Sequence, residues 1–509
     1  MQYAELPKAL QSAVNECPEL ATQEADEWLK RLPPTLTAQL TTLDEIETVG
    51  RQLTQWFGQR VTQGLTGKAV QTLEPSAPAC PTCTLTMRKV DHRIITKLGM
   101  YGKYQWRRAY YVCPAGHGGQ APTDVLLGLG PERFTGAVAQ AVTAFAVTMP
   151  FDRISDLINM LVEIPLDGDT IRRMVERVGD VAEAAEQAAI TAVTAEATQS
   201  EITETDRVQP EATEPVPPAR ESVPKTLPRP VLAPHALVVS VDGVMAPFRL
   251  GHSYHEVKVA VCEPLQRVSP APTAPGISPW LPLHEPDFCL GLEPRPAFWA
   301  RVRAHALQQG LTSPTCGLVV LLGDGADWIW HDADRYLRVP GSVLVKILDI
   351  FHAREHLWAF ADSYFDTASA AHAWAEPLNA RLETEGPGPI LTAMAELEAQ
   401  HPGADPKKVA EHHGYFMNQA DRMDYPRYTA LGLPIGSGTV ECACRTLVKQ
   451  RLDAGGMWWL PRGIQSVGTL RALYRSGKDR WQAFWAGRPY AAERGHASTG
   501  LPAEPSQVA

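Results

Sequence analysis

Residues 235–243 read HALVVSVDG and residues 316–325 read CGLVVLLGDG. Each is a short aliphatic, β-branched run of the kind that forms a buried strand, and each closes on an acid followed by glycine. An acid at the carboxyl end of a strand projects into the crevice above the sheet, where open α/β sheets place their ligands. Asp242 and Asp324 are therefore expected to stand together at one edge of a sheet. Strand ends of the Asp-Gly type are also common turn formers, so either residue alone carries little.

Working outward, HEVKVAVCEP (255–264) reads as a second strand and SVLVKILDIF (342–351) as another. Residues 263–290 are rich in proline and read as a surface loop, and AFWARVRAHALQQ (297–309) reads as a helix. The chain from 352 to about 431 has a helical pattern. LPIGSGTVE (433–441) is then a glycine-rich turn opening a helix over 438–453 that carries a third acid, Glu441, in its first turn. The alternation predicts an α/β sheet domain over 233–351 and 432–480, interrupted by an all-helical insertion over 352–431.

Three convergent carboxylates suit divalent cations, since Mg²⁺ takes hard oxygen ligands and leaves room for water and phosphate. Two such ions, about 3.5–4 Å apart, suit in-line phosphoryl transfer. On the residues alone this is a metal-dependent phosphoryl-transfer site set against a pair of ordinary turns. Arg445 and Lys449 follow Glu441 at four and eight residues, on roughly the same helical face, and are placed to meet phosphates or simply to be solvated.

The preceding half divides by composition. Residues 1–75 read as helical. Residues 76–125 are basic and β-rich, and from Arg88 to Arg108 they carry Arg88, Lys89, Arg93, Lys97, Lys103, Arg107 and Arg108 against the single acid Asp91. Such a local excess matters more to nucleic-acid binding than the net charge of −10. Within this stretch Cys80-Pro-Thr-Cys83 and Cys113-Pro-Ala-Gly-His117 supply four ligands in two knuckles, enough for a closed structural Zn²⁺ site in a zinc-ribbon-like hairpin. Residues 126–190 contain FDRISDLINMLVEIPLDGDTIRRMVERVG (151–179), read as helix-turn-helix with Arg172 and Arg173 near the start of a recognition helix. An ordinary helical hairpin fits the same pattern. The Glu-, Thr- and Pro-rich segment 191–232 reads as a disordered linker, and 481–509 as a tail.

Nine cysteines in 509 residues do not make a disulfide framework. No apolar run approaches the ~18 residues of a membrane span, and the first residues do not read as a signal peptide. The expectation is a cytoplasmic protein with no membrane partner.

Four segments carry a resemblance: VVSVDGVMAPFR (238–249), VVLLGDGADWIW (319–330), DIFHAREHLWAFA (349–361) and GSGTVECACRTLVKQRLDAGGMWW (436–459). Over about residues 78–475 the chain resembles bacterial insertion-sequence DDE transposases of the Kra-type group, themselves similar to Mutator-like enzymes. The resemblance implies an RNase H-like catalytic domain with a helical insertion. Asp242, Asp324 and Glu441 would be its catalytic ligands for Mg²⁺ or Mn²⁺. It also implies an Asp-x-x-His motif, matched by Asp349 and His352, with His352 contacting DNA or orienting the active site, and Arg445, Lys449 and Arg451 are the further candidate DNA contacts. Implied partners are transposon ends and target DNA, bound by a homo-oligomer close to the nucleoid. Two alternatives keep the same residues: a DNA-binding derivative without cleavage activity, and a nuclease that hydrolyses without joining. A third, a zinc peptidase using His352-x-x-Glu355-His356, leaves the strand-end acids unexplained.

Overall fold

The computed structural model describes residues 26–27, 29–31, 42–72, 76–130, 132–162, 164–205, 234–268, 278–400 and 406–487. It is a mixed α/β protein in two compact units, one ending at Leu127 and the other spanning Gly128–Arg494.

The first unit is a helix, α1 (Leu43–Thr72), and a small antiparallel sheet in the order β1 (Arg88–Gly99), β2 (Gly102–Val112), β3 (Gly119–Gln120). The β1–β2 turn is tight, and Gly102 supplies the positive φ of 112° that a side chain would resist. Lys103 and Gln105 of β2 have backbone groups that no strand takes. Helix α1 takes them with glutamine side chains: Gln59 Nε2 donates to the Lys103 carbonyl (3.0 Å), and Gln63 accepts the Gln105 N–H (2.7 Å). That covers a sheet edge which would otherwise template pairing. The core here is small: Cys80, Met87, Ala109, Tyr111 and Cys113, with Cys83 against them.

The second unit is built on a sheet in the order β6 (Trp280–Pro282), β5 (Ser253–Arg267), β4 (His235–Phe248), β8 (Cys316–Gly323), β9 (Val343–Leu348), with β7 (Asp287–Gly291) also paired to β5. Strands β4 and β5 are antiparallel, whereas β4–β8 and β8–β9 are parallel. Helix α5 (Arg295–Gln308) makes the crossover from β7 to β8. β8 is buried along its whole length, as a central parallel strand with both faces covered must be.

Two expected loops and a linker come out differently. Residues 263–267 belong to β5, and 280–282 and 287–291 are strands, so the proline-rich stretch hides two sheet elements; 269–277 lie outside the described residues. The helix from Gly168 (α4, following α2, Gly136–Ala146, and α3, Phe151–Val162) continues to Thr205, through the first part of the expected linker. Residues 206–233 lie outside the described residues. Residues 478–486 form a helix with Trp481 buried, so the expected tail begins as structure.

After β9 the chain runs through helices 350–362 (α6), 368–385, 388–400, 406–419 (α7) and 425–430. Leu357, Phe360, Leu382, Ile390 and Met394 of these helices belong to the same apolar core as Val239, Leu321 and Ile347 of the sheet. Gly438–Ala443 (α8) then passes into a π-helical turn, Cys444–Lys449, before a final α-turn. The wider turn shifts the side-chain register of everything after it. Arg471 of the helix Pro461–Arg475 (α9) donates to the carbonyls of Thr446 and Leu447 in that turn.

A row of acids and a cysteine–histidine cluster

The register of three parallel strands builds the first candidate site. Val241 of β4 pairs with Gly323 of β8, and Gly323 with Leu348 of β9. The next residues, Asp242, Asp324 and Asp349, therefore stand in one row at the carboxyl ends of adjacent strands, neighbours about 4.8 Å apart in backbone.

Asp242 does not end its strand. The parallel pairing to β8 stops at Val241, but antiparallel pairing with β5 carries β4 on to Phe248, and Gly243 stays in the strand opposite Lys258. Half-buried, Asp242 accepts its own Gly243 N–H (2.6 Å) and the Cys444 thiol (3.4 Å). Burial, aided by the charge of Asp324, pushes its carboxyl above the usual range against these hydrogen bonds. Asp324 does end β8 and accepts the Ala326 N–H (2.8 Å). Gly325 is needed there because the Tyr415 ring of α7 lies where a Cβ would be.

Asp349 is fully buried and caps α6. It accepts the Phe351 N–H (2.9 Å), His352 Nδ1 (2.9 Å) and the Ser437 hydroxyl. Burial works against its charge, but these donors hold the carboxyl below its ordinary range. The hydrogen bond to Asp349 in turn raises His352 to about 9, with the charge of Asp324 adding to it. Ser437 Oγ also lies 3.1 Å from Glu441 Oε1, and its one proton serves one carboxylate at a time.

Among the described residues, Asp349, His352 and Glu441 have mutually close ligand atoms, all within 4.8 Å. Asp242, Asp324 and Glu441 do not form such a group. Glu441 therefore meets the row at Asp349, beside His352. Three residues at this site were not singled out from sequence: Ser437, Cys444 and Tyr415. Tyr415 has a buried hydroxyl without a partner, and burial with the charges of Asp324 and Asp349 pushes its pKa up. Glu441 and Cys444 stand three apart on a helix, so their shared face was legible.

His352 and His356 both lie on α6 but have separate partners. His356 faces His412 (Nδ1 to Nδ1 3.0 Å) and stacks on Tyr415, with ring centroids 3.7 Å apart. The two-histidine ligation of a zinc peptidase is not assembled.

The expected DNA contacts fall in different settings. Arg445 is exposed, and Lys449, also exposed, binds Asp453 (2.8 Å) and the Met245 carbonyl (3.0 Å). Arg451 is a correction. It is 1% exposed, donates to the Ala146 carbonyl (3.0 Å) and sits over the rings of Phe151 and Trp459, so it packs the interior and does not face solvent. Arg172 is held by Asp169 (2.7 Å) and Glu176 (2.8 Å), and exposed Arg173 by Asp169 (3.2 Å). The helix that carries them buries Ile171, Val175 and Val178, and its Ile190 and Val193 reach the core of the sheet.

The second candidate site is in the first unit. Cys80, Cys83, Cys113 and His117 converge: Cys83 and Cys113 sulfurs are 3.5 Å apart, and His117 Nδ1 is 3.7 Å from Cys113 and 3.9 Å from Cys80. A tetrahedral zinc with Zn–S near 2.3 Å asks for sulfurs about 3.8 Å apart, so the cluster is compatible with structural zinc. The offset of His117 by one residue from a Cys-x-x-Cys spacing is absorbed by Gly116 and Gly118, both at positive φ (80° and 102°). The Cys83 backbone N–H holds the Cys80 thiol down to about 6, easing its conversion to the thiolate a metal needs. Two of the basic residues of this unit are turned away from solvent: Lys97 is buried, and Arg108 pairs with Asp124 (2.6 Å).

No family model matches the chain, and no curated protein matches it.

Proposed function

We propose that the chain is an insertion-sequence DNA transposase of the DDE class, acting on an RNase H-like sheet. The observation that carries this is the row Asp242, Asp324, Asp349 across β4, β8 and β9, with Glu441 delivered to it by the helix after Gly436-Ser437-Gly438. An antiparallel meander continuing into two parallel strands, followed by helices before the glutamate, supports the RNase H-like reading and that of 352–431 as a helical insertion.

The donor set fits Mg²⁺ or Mn²⁺: hard carboxylate oxygens, half-buried at Asp242 and Asp324 and open to solvent at Glu441. Bound there, the ions supply activation of a water or 3′-hydroxyl and stabilisation of the leaving oxygen. The chain's own residues do the rest. Asp349 fixes His352, Ser437 donates to Asp349 or to Glu441 in turn, and Cys444 holds one oxygen of Asp242. Arg445 and Lys449 are the exposed cations closest in sequence to Glu441 and take the phosphates of the bound strand. The cysteine–histidine unit, held by Zn²⁺, belongs with recognition of the element ends. Work on paired ends implies a homo-oligomer on DNA, in the cytoplasm at the nucleoid. No helix among the described residues is long and apolar enough to cross a membrane.

The test is cleavage of DNA carrying the element's ends, and joining of the 3′-ends to target, in Mg²⁺ or Mn²⁺. Wild type should do both. Asp242→Asn, Asp324→Asn and Glu441→Gln should bind DNA and yield no product, and Asp349→Asn should lose at least about tenfold, as a group supporting metal ligands does. Wild-type protein that binds ends and cuts nothing in either metal overturns the assignment.

A further inference from the structure

The β1–β2 ribbon leaves part of one face bare. In its register Ile94 pairs with Arg107 and Thr96 with Gln105, and these four residues project to the same side. All four are exposed, Ile94 at 67% even though it is a large β-branched residue in mid-strand. On the opposite side of the ribbon Lys97, Tyr104 and Trp106 are buried, so the bareness belongs to one face. The free edge of β2 is already taken by Gln59 and Gln63, which leaves the face, not the edge, for a partner.

We infer that this face reads base edges in the major groove of duplex DNA. The four side chains are of the kinds that do so: Arg is bidentate to guanine, Gln to adenine, Thr takes either, and an aliphatic group meets the thymine methyl. Gln105 Nε2 donates to Thr96 Oγ1 (3.0 Å), which holds the amide in place on that face. A two-stranded ribbon fits the groove of B-form DNA, whereas the deep, narrow major groove of an RNA duplex excludes it. Rungs two residues apart lie about 6.8 Å apart, two base-pair rises of 3.4 Å, so the face spans about three consecutive base pairs. Charge agrees. Lys103 is exposed beyond Gln105, and the only acid on the ribbon, Asp91, is occupied by Arg93 (3.2 Å).

The inference rests on the reading of the chain as a protein that acts on DNA, and names which surface finds the sequence. The experiment is selection by the full-length, zinc-loaded protein from a pool of random-sequence DNA duplexes, with end cleavage assayed in parallel. Wild type should enrich a short motif. Gln105→Ala and Arg107→Lys should each relax one position of it by about 5- to 150-fold. The lysine keeps the charge but loses the planar fork, so binding to unselected duplex should stay near wild type. Variants that keep wild-type zinc content and still enrich the wild-type bases overturn the inference, as does a wild type that enriches nothing. If base preference is unaffected by these variants while cleavage still depends on Asp242, the catalytic reading survives and the ribbon does not. If the motif shifts as expected but no cleavage occurs, the reverse holds.

Discussion

The two units differ in the size of their cores and in how much charge each core carries. In the unit ending at Leu127 the cluster around the cysteines is only Cys80, Met87, Ala109, Tyr111 and Cys113, with Cys83 against them, and the two-stranded ribbon carries an excess of cations, most of them exposed. In the unit spanning Gly128–Arg494 a long apolar core runs from β4 through the helices after β9, and charge is carried inside it. Arg301, 2% exposed, is ringed by Glu183 (2.6 Å), Glu186 and Glu293 (2.6 Å). His305 lies between Asp287 (2.8 Å) and Glu186 (2.9 Å). A unit with a sufficient core can bury paired ions at a bearable cost. One without it gains more from a cross-link and can bury less charge.

The sharpest way to break that comparison is to withhold zinc from the cluster of Cys80, Cys83, Cys113 and His117, which is compatible with it. Structural zinc in small cysteine–histidine units supplies roughly 10–16 kcal/mol of apparent binding energy, and the core around Cys80 and Tyr111 is small. Chelation, or Cys83→Ser, should abolish amide-exchange protection across β1 and β2 and leave protection of β4 and β8 unchanged. Hydrogen exchange by mass spectrometry reads both in one experiment. Protection persisting in β1–β2 without metal would mean that the small unit stands on its own core.

A smaller effect is expected from the buried ions. His305 is raised to about 10: its burial opposes the charge, but Asp287 and Glu186 prevail. Asp287 is held near 2 by His305 and Arg480, again against its burial. A raised histidine contributes stability that is complete below about 6.5 and lost as pH climbs through about 10. A depressed carboxylate contributes stability that is complete above about 3.8 and lost as pH falls toward 2. His305→Leu should therefore cost about 3–5 kcal/mol near pH 6, as breaking a buried pair does, and much less by pH 10. Urea midpoints of wild type and variant at the two pH values measure it. An equal loss at both would show that His305 packs there uncharged.

What could be read beforehand follows the same division. Aliphatic runs ending in Asp announced β4 and β8, because a buried parallel strand leaves a continuous signature. The cysteine knuckles were equally plain, since ligand spacing is local. Signals failed where a distant element decides the outcome. β7 is five residues in a proline-rich stretch and is a strand only because β5 pairs with it. Residues 191–205 read as linker from their Thr and Glu content, yet Ala and Glu are good helix formers and a helix already begun at Gly168 carries them. Arg451 is implied as a DNA contact by the resemblance, but after the π-turn that follows Ala443 it is enclosed by Phe151, Trp459 and the Ala146 carbonyl, the first and last of them far along the chain. Asp349, named from sequence only as part of a motif, proved the most heavily bonded acid of the row, a fact that only the arrival of Ser437 and His352 makes visible.

The smallest expected effect separates two readings of one residue. Arg172 is 40% exposed, and its pairs with Asp169 and Glu176 are one-turn contacts at the start of the helix. Such pairs contribute about 0.3–0.5 kcal/mol each, so Arg172→Ala should move the urea midpoint by less than about 1 kcal/mol of stability. If the helix start meets a duplex, the same variant gives up one phosphate contact. The dependence of log affinity on log salt should then flatten by about 0.9, with base preference unchanged. If it is only a surface helix, the slope stays put. Measured beside Arg107→Lys, whose expected loss is in base preference and not in salt slope, this variant shows whether both units touch DNA or only the ribbon does.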